Sequence, residues 1–295
     1  MTQPGLRVER EVSGDYERVF LSDPGATPFH HPDFLRASEA IFRGRLEIWW
    51  LGDRCACPVI VRKKGPYTSA SSLGYGCYGG AVGERESFAD FLRLAREADF
   101  SRIEFVDFRC RLPSEGFRVV ERTAHILPLP DDPEALLFSY SALRRRELRK
   151  DIAVERGAEP DEFYELHRQT FASLRMWVTP EEGISALSGS EIARFYAARA
   201  SGRIAGVLLV LSYGQEAIWW ISGRRPDVEG VMTHLLHTAI SDAISEGKRY
   251  FNMGGTDAPG PARFKESMGA RPYPYRSLVR EKGVLGLVRR IRRGW

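Results

Sequence analysis

Residues Arg194 to Gly223 read RFYAARASGRIAGVLLVLSYGQEAIWWISG, three strand-like runs broken only at Ser201-Gly202 and Gly214-Gln215. Breaks that short leave room for a tight turn and little else, so the three runs form an antiparallel meander. The flanking segments narrow the fold further. VEGVMTHLLHTAISDAISEG carries apolar residues at helical spacing and ends at Gly247, the residue type that closes helices. RYFNMG is the next strand and PYRSLVRE the last. Upstream, Asp132-Pro133-Glu134 supplies a cap, a first-turn proline and an acid. These open a helix through ALLFSYSALRRRELRKDI that stops near Gly157, and PDEFYELHRQTFASL starts another at Pro160.

The first half repeats this order. LEIWWLGDRCACPVIVRKKGPYTSASSL reads as strand, Gly-Asp turn, strand and loop, and Glu86 to Ala98 as a helix. RIEFVDFR is a strand, and EGFRVVE and HILPL are two short ones. Helix, strand and loop lead to Gly116-Phe117 in one half and to Gly269-Ala270 in the other, roughly 150 residues on. Two copies of one mixed α/β unit follow from that parallel.

Composition agrees with this size of fold. The 295 residues accommodate two domains, and 43% hydrophobic with 28% charged residues describes a globular chain with a sizeable core. No run reaches the ~18 apolar residues of a membrane helix. The charged start MTQPGLRVEREVSGDYERVF does not read as a secretion signal, so a cytoplasmic protein with reduced thiols is expected. Of the four cysteines (Cys55, Cys57, Cys77, Cys110), the Cys55-x-Cys57 pair lacks the second pair that zinc requires. No Gly-x-Ser-x-Gly elbow is present, and GYGCYGG ends in no Gly-Lys-Ser/Thr, which argues against a hydrolase triad and a P-loop. A net charge of +4 permits an anionic partner without requiring one; the basic clusters are RRRELRK (Arg144 to Lys150) and the C-terminal VRRIRRGW.

One stretch carries chemistry. In RYFNMGGTDAPGPARFKESMGA a strand runs into Gly254-Gly255, a Pro/Gly loop follows, and then Phe264-Lys265-Glu266-Ser267-Met268-Gly269. This resembles the C-terminal signature of the Fem-type (FemABX) aminoacyltransferases, which carry Phe-Lys-x-x-Phe/Met-Gly there. PFHHPDFLRAS (Pro28 to Ser38) resembles the family's N-terminal aromatic-His/Gln-x-Pro-x-Trp/Phe segment, and GCYGG (Gly76 to Gly80) its Tyr-Gly-Gly turn. LPLPDDPEALLFSYSALRRRELRKDIAVERG resembles its Arg- and Lys-rich helix, and the meander its central hairpin. The resemblance spans nearly the whole chain. It implies an α/β (α+β) fold of tandem GNAT-like domains, here residues 1–130 and 131–295, each a mixed, mostly antiparallel sheet flanked by helices. It also implies amide-bond formation without a cofactor or metal, from aminoacyl-tRNA to an amine of a peptidoglycan precursor or peptide natural product. The long paired-helix arm of larger members is missing, so tRNA contacts attributed to that arm do not carry over.

The resemblance places a functional lysine at Lys265. Aminolysis of an activated ester passes through a tetrahedral oxyanion, which an ammonium can stabilise, as it can the leaving ribose oxygen. The plain alternative is a surface lysine paired with Glu266 or a phosphate. Phe264 reads as packing or as a stacking surface for substrate, and Asp257 as an amine-binding carboxylate or a turn residue. Arg144, Arg145 and Arg149 lie on the basic helix, with Arg145 and Arg149 sharing a face at i,i+4. They suit phosphate oxygens, or form a solvated face. His31 and Arg36 in the N-terminal segment and Tyr78 in the Tyr-Gly-Gly turn are candidates for binding the acceptor, a small peptide or nucleotide-linked amine. The rival activity is acyl-CoA-dependent N-acylation. GNAT proteins hold the CoA pyrophosphate on a Gln/Arg-x-x-Gly-x-Gly/Ala turn at a helix start. Here GRRPDVEGVMT lacks Gly-x-Gly and carries Asp227 and Glu229. A non-catalytic module is the third reading, which the Lys265 segment opposes.

Overall fold

A computed structural model describes residues 5–74, 76–256 and 258–282. The chain divides into two units. One runs to Arg122 and takes back the chain from Tyr275, and the other is Thr123–Pro274.

The first unit opens with β1 (Arg7–Glu9), α1 (Gly14–Ser22), α2 (Pro32–Phe42), β2 (Arg45–Leu51), β3 (Cys55–Lys64) and β4 (Tyr67–Ser72). β5 (Val82–Gly83), α3 (Phe88–Glu97) and β6 (Arg102–Asp107) complete its N-terminal part. β1 to β4 are antiparallel neighbours in sequence order, β5 pairs β3, and β6 lies parallel to β4. α3 buries Phe88, Phe91, Leu92 and Ala95, a helical stripe that shares a core with Trp49, Val59, Ile103 and Phe105. Trp50 points to the other face of β2, edge-on to Tyr16 of α1, so both tryptophans of the pair are buried.

β7 (Arg118–Pro128) carries the chain into the second unit. EGFRVVE and HILPL thus belong to one strand and not to two, since no glycine or proline interrupts Arg122-Thr123-Ala124. Then come α4 (Leu136–Ser139), α5 (Ala142–Glu147), β8 (Ala153–Arg156), α6 (Pro160–Ser173) and α7 (Glu181–Ser185). The meander is β9 (Ala193–Ala200), β10 (Arg203–Tyr213) and β11 (Glu216–Arg224), followed by α8 (Val231–Ser245), β12 (Tyr250–Gly255) and α9 (Pro259–Ser267). β8 to β11 are antiparallel, β12 is parallel to β11, and β7 is antiparallel to β12. Ser201 and Gly202 both adopt left-handed φ (50° and 73°), the type I′ turn that a two-residue hairpin favours. β13 (Arg271–Glu281) returns, and its Arg276 to Glu281 lie antiparallel to β6.

The order β1-α1-α2-β2-β3-β4-α3-β6 therefore recurs as β8-α6-α7-β9-β10-β11-α8-β12, with the same single parallel pairing. Each copy gains its last strand from a distant part of the chain: β13 lies on β6, and β7 lies on β12. This is why the units part at Arg122 and again at Pro274, whereas the sequence suggests one division after residue 130. The single helix expected after Asp132 is also broken. Tyr140 is extended (φ −82°, ψ 142°), and the Ser141 hydroxyl accepts from Arg144 N at 3.4 Å to restart the helix as α5. Among the described residues no helix is long and apolar enough to cross a membrane.

A methyl group at Gly223 of β11 would sit 2.7 Å from the Leu166 carbonyl and the His167 nitrogen of α6. Backbone meets backbone there, so no rotamer can relieve the clash. Gly223→Ala is expected to lower stability in urea unfolding by about 2 kcal/mol. Gly14→Ala, which meets nothing within 4 Å, should leave it unchanged.

Candidate active site

The second unit concentrates unusual backbone at one strand end. β11 and β12 pair only over Glu216 to Ile218 and Tyr250 to Asn252. Beyond that point the register of β12 against β7 shifts: Asn252 faces Ile126 and Gly255 faces Ala124, so Met253 and Gly254 stand opposite the single residue His125. This is a β-bulge. Buried Asn252 holds it, donating to Glu216 Oε1 at 2.9 Å and accepting from Gly254 N at 2.9 Å. Gly254 needs a left-handed φ of 75°, which glycine supplies at no steric cost.

α9 delivers Lys265 to this bulge. Pro259 starts the helix, and Gly269 (φ 88°) ends it, lying so close to Ser139 that a Cβ would meet its side chain at 2.7 Å. Lys265 is only 5% exposed and donates to the carbonyls of Gly254 at 2.9 Å and Gly255 at 3.1 Å. Its ammonium lies 5.6 Å from the Trp219 ring centroid. Burial lowers its pKa from 10.5 to about 8. The alternative of a surface lysine paired with Glu266 does not hold. Phe264 meets Trp219 edge-on at 6.5 Å, with the Arg144 guanidinium 4.9 Å from its ring centroid. The structure thus brings together Arg144, Phe264, Trp219 and Lys265.

The other basic residues of the α5 segment diverge. Arg145 turns back to the carbonyls of Tyr140 and Leu137. Arg149 is exposed and lies beyond the end of α5, so the shared i,i+4 helix face does not form. Arg144 reaches Glu147 Oε2 at 2.7 Å and Thr233 Oγ1 at 3.2 Å. That carboxylate also accepts from Thr233 Oγ1 at 2.5 Å, and His234 Nε2 donates to the Glu147 carbonyl at 3.0 Å. Thr233 and His234 belong to the first turn of α8, whose cap residue is Gly230 and which has no side-chain cap. Glu147 therefore faces the start of α8. Beside it an open cleft of roughly 400 Å³ is lined by Lys150, Asp151, Asp227 and Glu229, with Lys150 bound to Glu229 at 3.0 Å.

His31, Arg36 and Tyr78 belong to the first unit. His31 Nδ1 accepts from Asp33 N at 3.2 Å and caps α2, and Arg36 bonds Glu17 at 2.6 Å and Asp33 at 3.1 Å. Tyr78 is buried, its ring stacked 4.0 Å from that of Phe108. Asp257 and the C-terminal Arg289, Arg290, Arg292 and Arg293 lie outside the described residues. Burial pushes the Cys55 thiol up to about 12 and raises Cys57 as well, which opposes a metal-binding thiolate pair.

Sequence reasoning missed three contributors: Asn252, which pins the bulge; Glu147, at the start of α8; and His125, buried opposite the bulge. A lone histidine in the apolar run HILPL was the only available signal for the last.

Since Lys265 charges less readily in the folded chain than in the unfolded one, the unfolded state binds more protons between about pH 8 and 10.5. Folding stability should rise with pH across that window. In Lys265→Met that rise should be missing from urea titrations at stepped pH.

A family profile described as an acetyltransferase (GNAT) domain matches residues 138–266. No curated protein matches the chain in sequence. Among solved structures, FemX superposes with a TM-score of 0.66 at 13% identity, covering 92% of this chain and 96% of its own. L-PGS from Bacillus licheniformis gives 0.61 at 14%, covering 95% of each chain. A conserved Bacteroides thetaiotaomicron protein of unknown function gives 0.63 at 11%, covering 93% of this chain and all of its own. Likeness at such identities speaks for the fold alone: the chain has the GNAT-type acyltransferase fold of FemX, with an acetyltransferase-type (GNAT) segment at 138–266.

Proposed function

We propose that this chain is an aminoacyltransferase that forms an amide bond, passing an aminoacyl group from aminoacyl-tRNA to the amine of a small peptide or nucleotide-linked acceptor. A peptidoglycan precursor or a peptide natural product has the required amine. The observation that carries this reading over acyl-CoA-dependent N-acylation is Glu147 at the start of α8. A GNAT protein that takes CoA leaves the first-turn amides of that helix free for a pyrophosphate. Here the chain's own carboxylate holds Thr233 in that turn, and Asp227 and Glu229 follow nearby. A pyrophosphate there would sit beside the largely buried Glu147 carboxylate, with Asp227 and Glu229 in solvent. Each of these acids already has its own cation in Arg144, Arg225 or Lys150, so the turn has little free positive charge to offer it. The likeness in fold to FemX agrees with the reading.

Lys265 supplies the electrostatics. An ammonium fixed by two carbonyls at a strand end is compact and preorganised, and a developing oxyanion or leaving ribose oxygen gains most from such a donor. The acceptor amine attacks the ester carbonyl, the charge on the adduct is met by Lys265, and the ribose oxygen leaves.

The test mixes purified chain with charged tRNAs or acyl-CoAs and candidate amines, and follows which donor is consumed only when an amine is present. Aminoacyl-tRNA is expected to be the one. Lys265→Met should fold and lower transfer about a hundredfold or more. Lys265→Arg should also fail, since a planar guanidinium does not replace a compact ammonium. Binding of the tRNA should weaken steeply with salt. Removing charge at Arg149 or in the C-terminal arginine cluster should flatten that slope by about one unit for each phosphate left without its cation. Turnover with acetyl-CoA but not with aminoacyl-tRNA would overturn the reading.

A further inference from the structure

One buried titratable side chain lies at the bulge, unused by the steps above. His125 of β7 is 2% exposed and stands opposite Met253 and Gly254, the bulge that presents carbonyls to Lys265. Its Nε2 lies 3.5 Å from Glu266 Oε1, and its Nδ1 is buried with no hydrogen-bond partner among the described residues. A carboxylate beside Nε2 selects the tautomer: the Nε2 proton points toward Glu266, and the lone pair on Nδ1 stays bare. The charged groups facing the ring are Glu266 and Lys265, both on α9, whereas the β12 residues opposite it are uncharged. Burial lowers the ring's basicity, the Glu266 contact raises it and the Lys265 charge lowers it, and the net shift is downward from 6.5. The ring is then a neutral acceptor at physiological pH. A base oriented by a third group is the arrangement that nucleophile activation requires, and its contacts are often looser before substrate binds.

We propose that His125, oriented by Glu266, is the general base of the transfer. The inference rests on the amide-bond reading given above. As the neutral amine attacks, its nitrogen forms the C–N bond and its proton passes to Nδ1. When the adduct collapses, the ester C–O bond breaks, the electron pair leaves on the ribose oxygen, and Nδ1 returns its proton to that oxygen. Protons and charge balance over the cycle. Lys265 meets the oxyanion throughout, and Glu266 is a positioning residue.

The experiment uses the full chain with the donor that the wild type consumes. His125→Gln should lower kcat about a hundredfold or more with little change in KM. It should also abolish the acidic limb of the pH profile, on which wild-type kcat/KM falls as the ring protonates below pH 6.5. Glu266→Gln, half exposed and far easier to accommodate, should lower kcat less and leave KM unchanged. Nitrogen NMR of His125 needs no turnover and should show a neutral ring protonated at Nε2. A ring protonated at Nδ1 would overturn the proposal. So would a His125→Gln enzyme that keeps the wild-type kcat and acidic limb. If His125→Gln fails to fold, the Glu266→Gln kinetics and the NMR decide. A wild type that consumes neither donor sinks the transfer reading first and the base with it, an outcome visible before any variant is made.

Discussion

The contact between the Lys265 ammonium and the two bulge carbonyls organises the second unit. Burying a charge costs several kcal/mol, and each hydrogen bond to a charged group recovers about 1.5–3 kcal/mol. The two carbonyls offset part of the cost, and burial still lowers the pKa from 10.5 to about 8. At roughly 1.4 kcal/mol per unit, that fall corresponds to about 3–4 kcal/mol against the charged form. An ammonium in deficit gains more from an arriving negative charge than one already neutralised by a carboxylate. That is the physical difference between a lysine that builds structure and one that can stabilise an oxyanion. The surrounding devices serve the same contact. Asn252 and Glu216 fix the bulge, Gly254 provides its φ, and Met253, Met268 and Ala270 anchor both strand and helix in the core.

The repeated topology sharpens this point, because the two copies share a frame and differ at the equivalent strand end. After β6 the Asp107 carboxylate accepts from Arg111 N at 2.8 Å and Leu112 N at 3.0 Å, closing that end with a local turn. After β12 the chain turns two carbonyls toward a helix that comes back with a lysine to meet them. The same fold thus ends a strand in two ways: after β6 an arginine, Arg276, meets the Asp107 carboxylate at 3.2 Å, whereas after β12 a lysine meets backbone carbonyls and, among the described residues, no carboxylate.

Much of this was legible in the sequence. The meander, α8 with its closing Gly247 and the Phe-Lys-Glu-Ser-Met-Gly segment were all written in turn residues and periodicity. What could not be read depended on contacts distant in sequence. EGFRVVE and HILPL read as separate strands, yet one extended strand runs through both, with β12 paired to the second segment and the boundary between the units at Arg122. The basic helix looked continuous because Ala, Leu and Arg favour helix at every position, whereas Ser141 competes as a cap and wins. The restarted helix then ends at Glu147, with Leu148 as its C-cap, which removes Arg149 from the face it was expected to share with Arg145. Glu147 likewise reads as one more acid in a charged run, and only the approach of α5 to α8 gives it a role.

The position of Glu147 bears on how one acyl-transfer frame can serve different donors. In this chain β11 and β12 part beyond Ile218 and Asn252, and α8 follows the meander with a first turn that has no side-chain cap. The bulge and Lys265 lie at the end of β12 where the two strands part. The Glu147 carboxylate accepts from the Thr233 hydroxyl in the first turn of α8 and is also held by Arg144. A donor whose charge is concentrated in a pyrophosphate next to the reacting group loses its anchor under that arrangement. A donor whose phosphates lie farther from the ester, spread along a polymer, does not need that anchor, because it can be held by arginines elsewhere on the surface. Under the proposed reading, selection between donors is decided by where negative charge is refused.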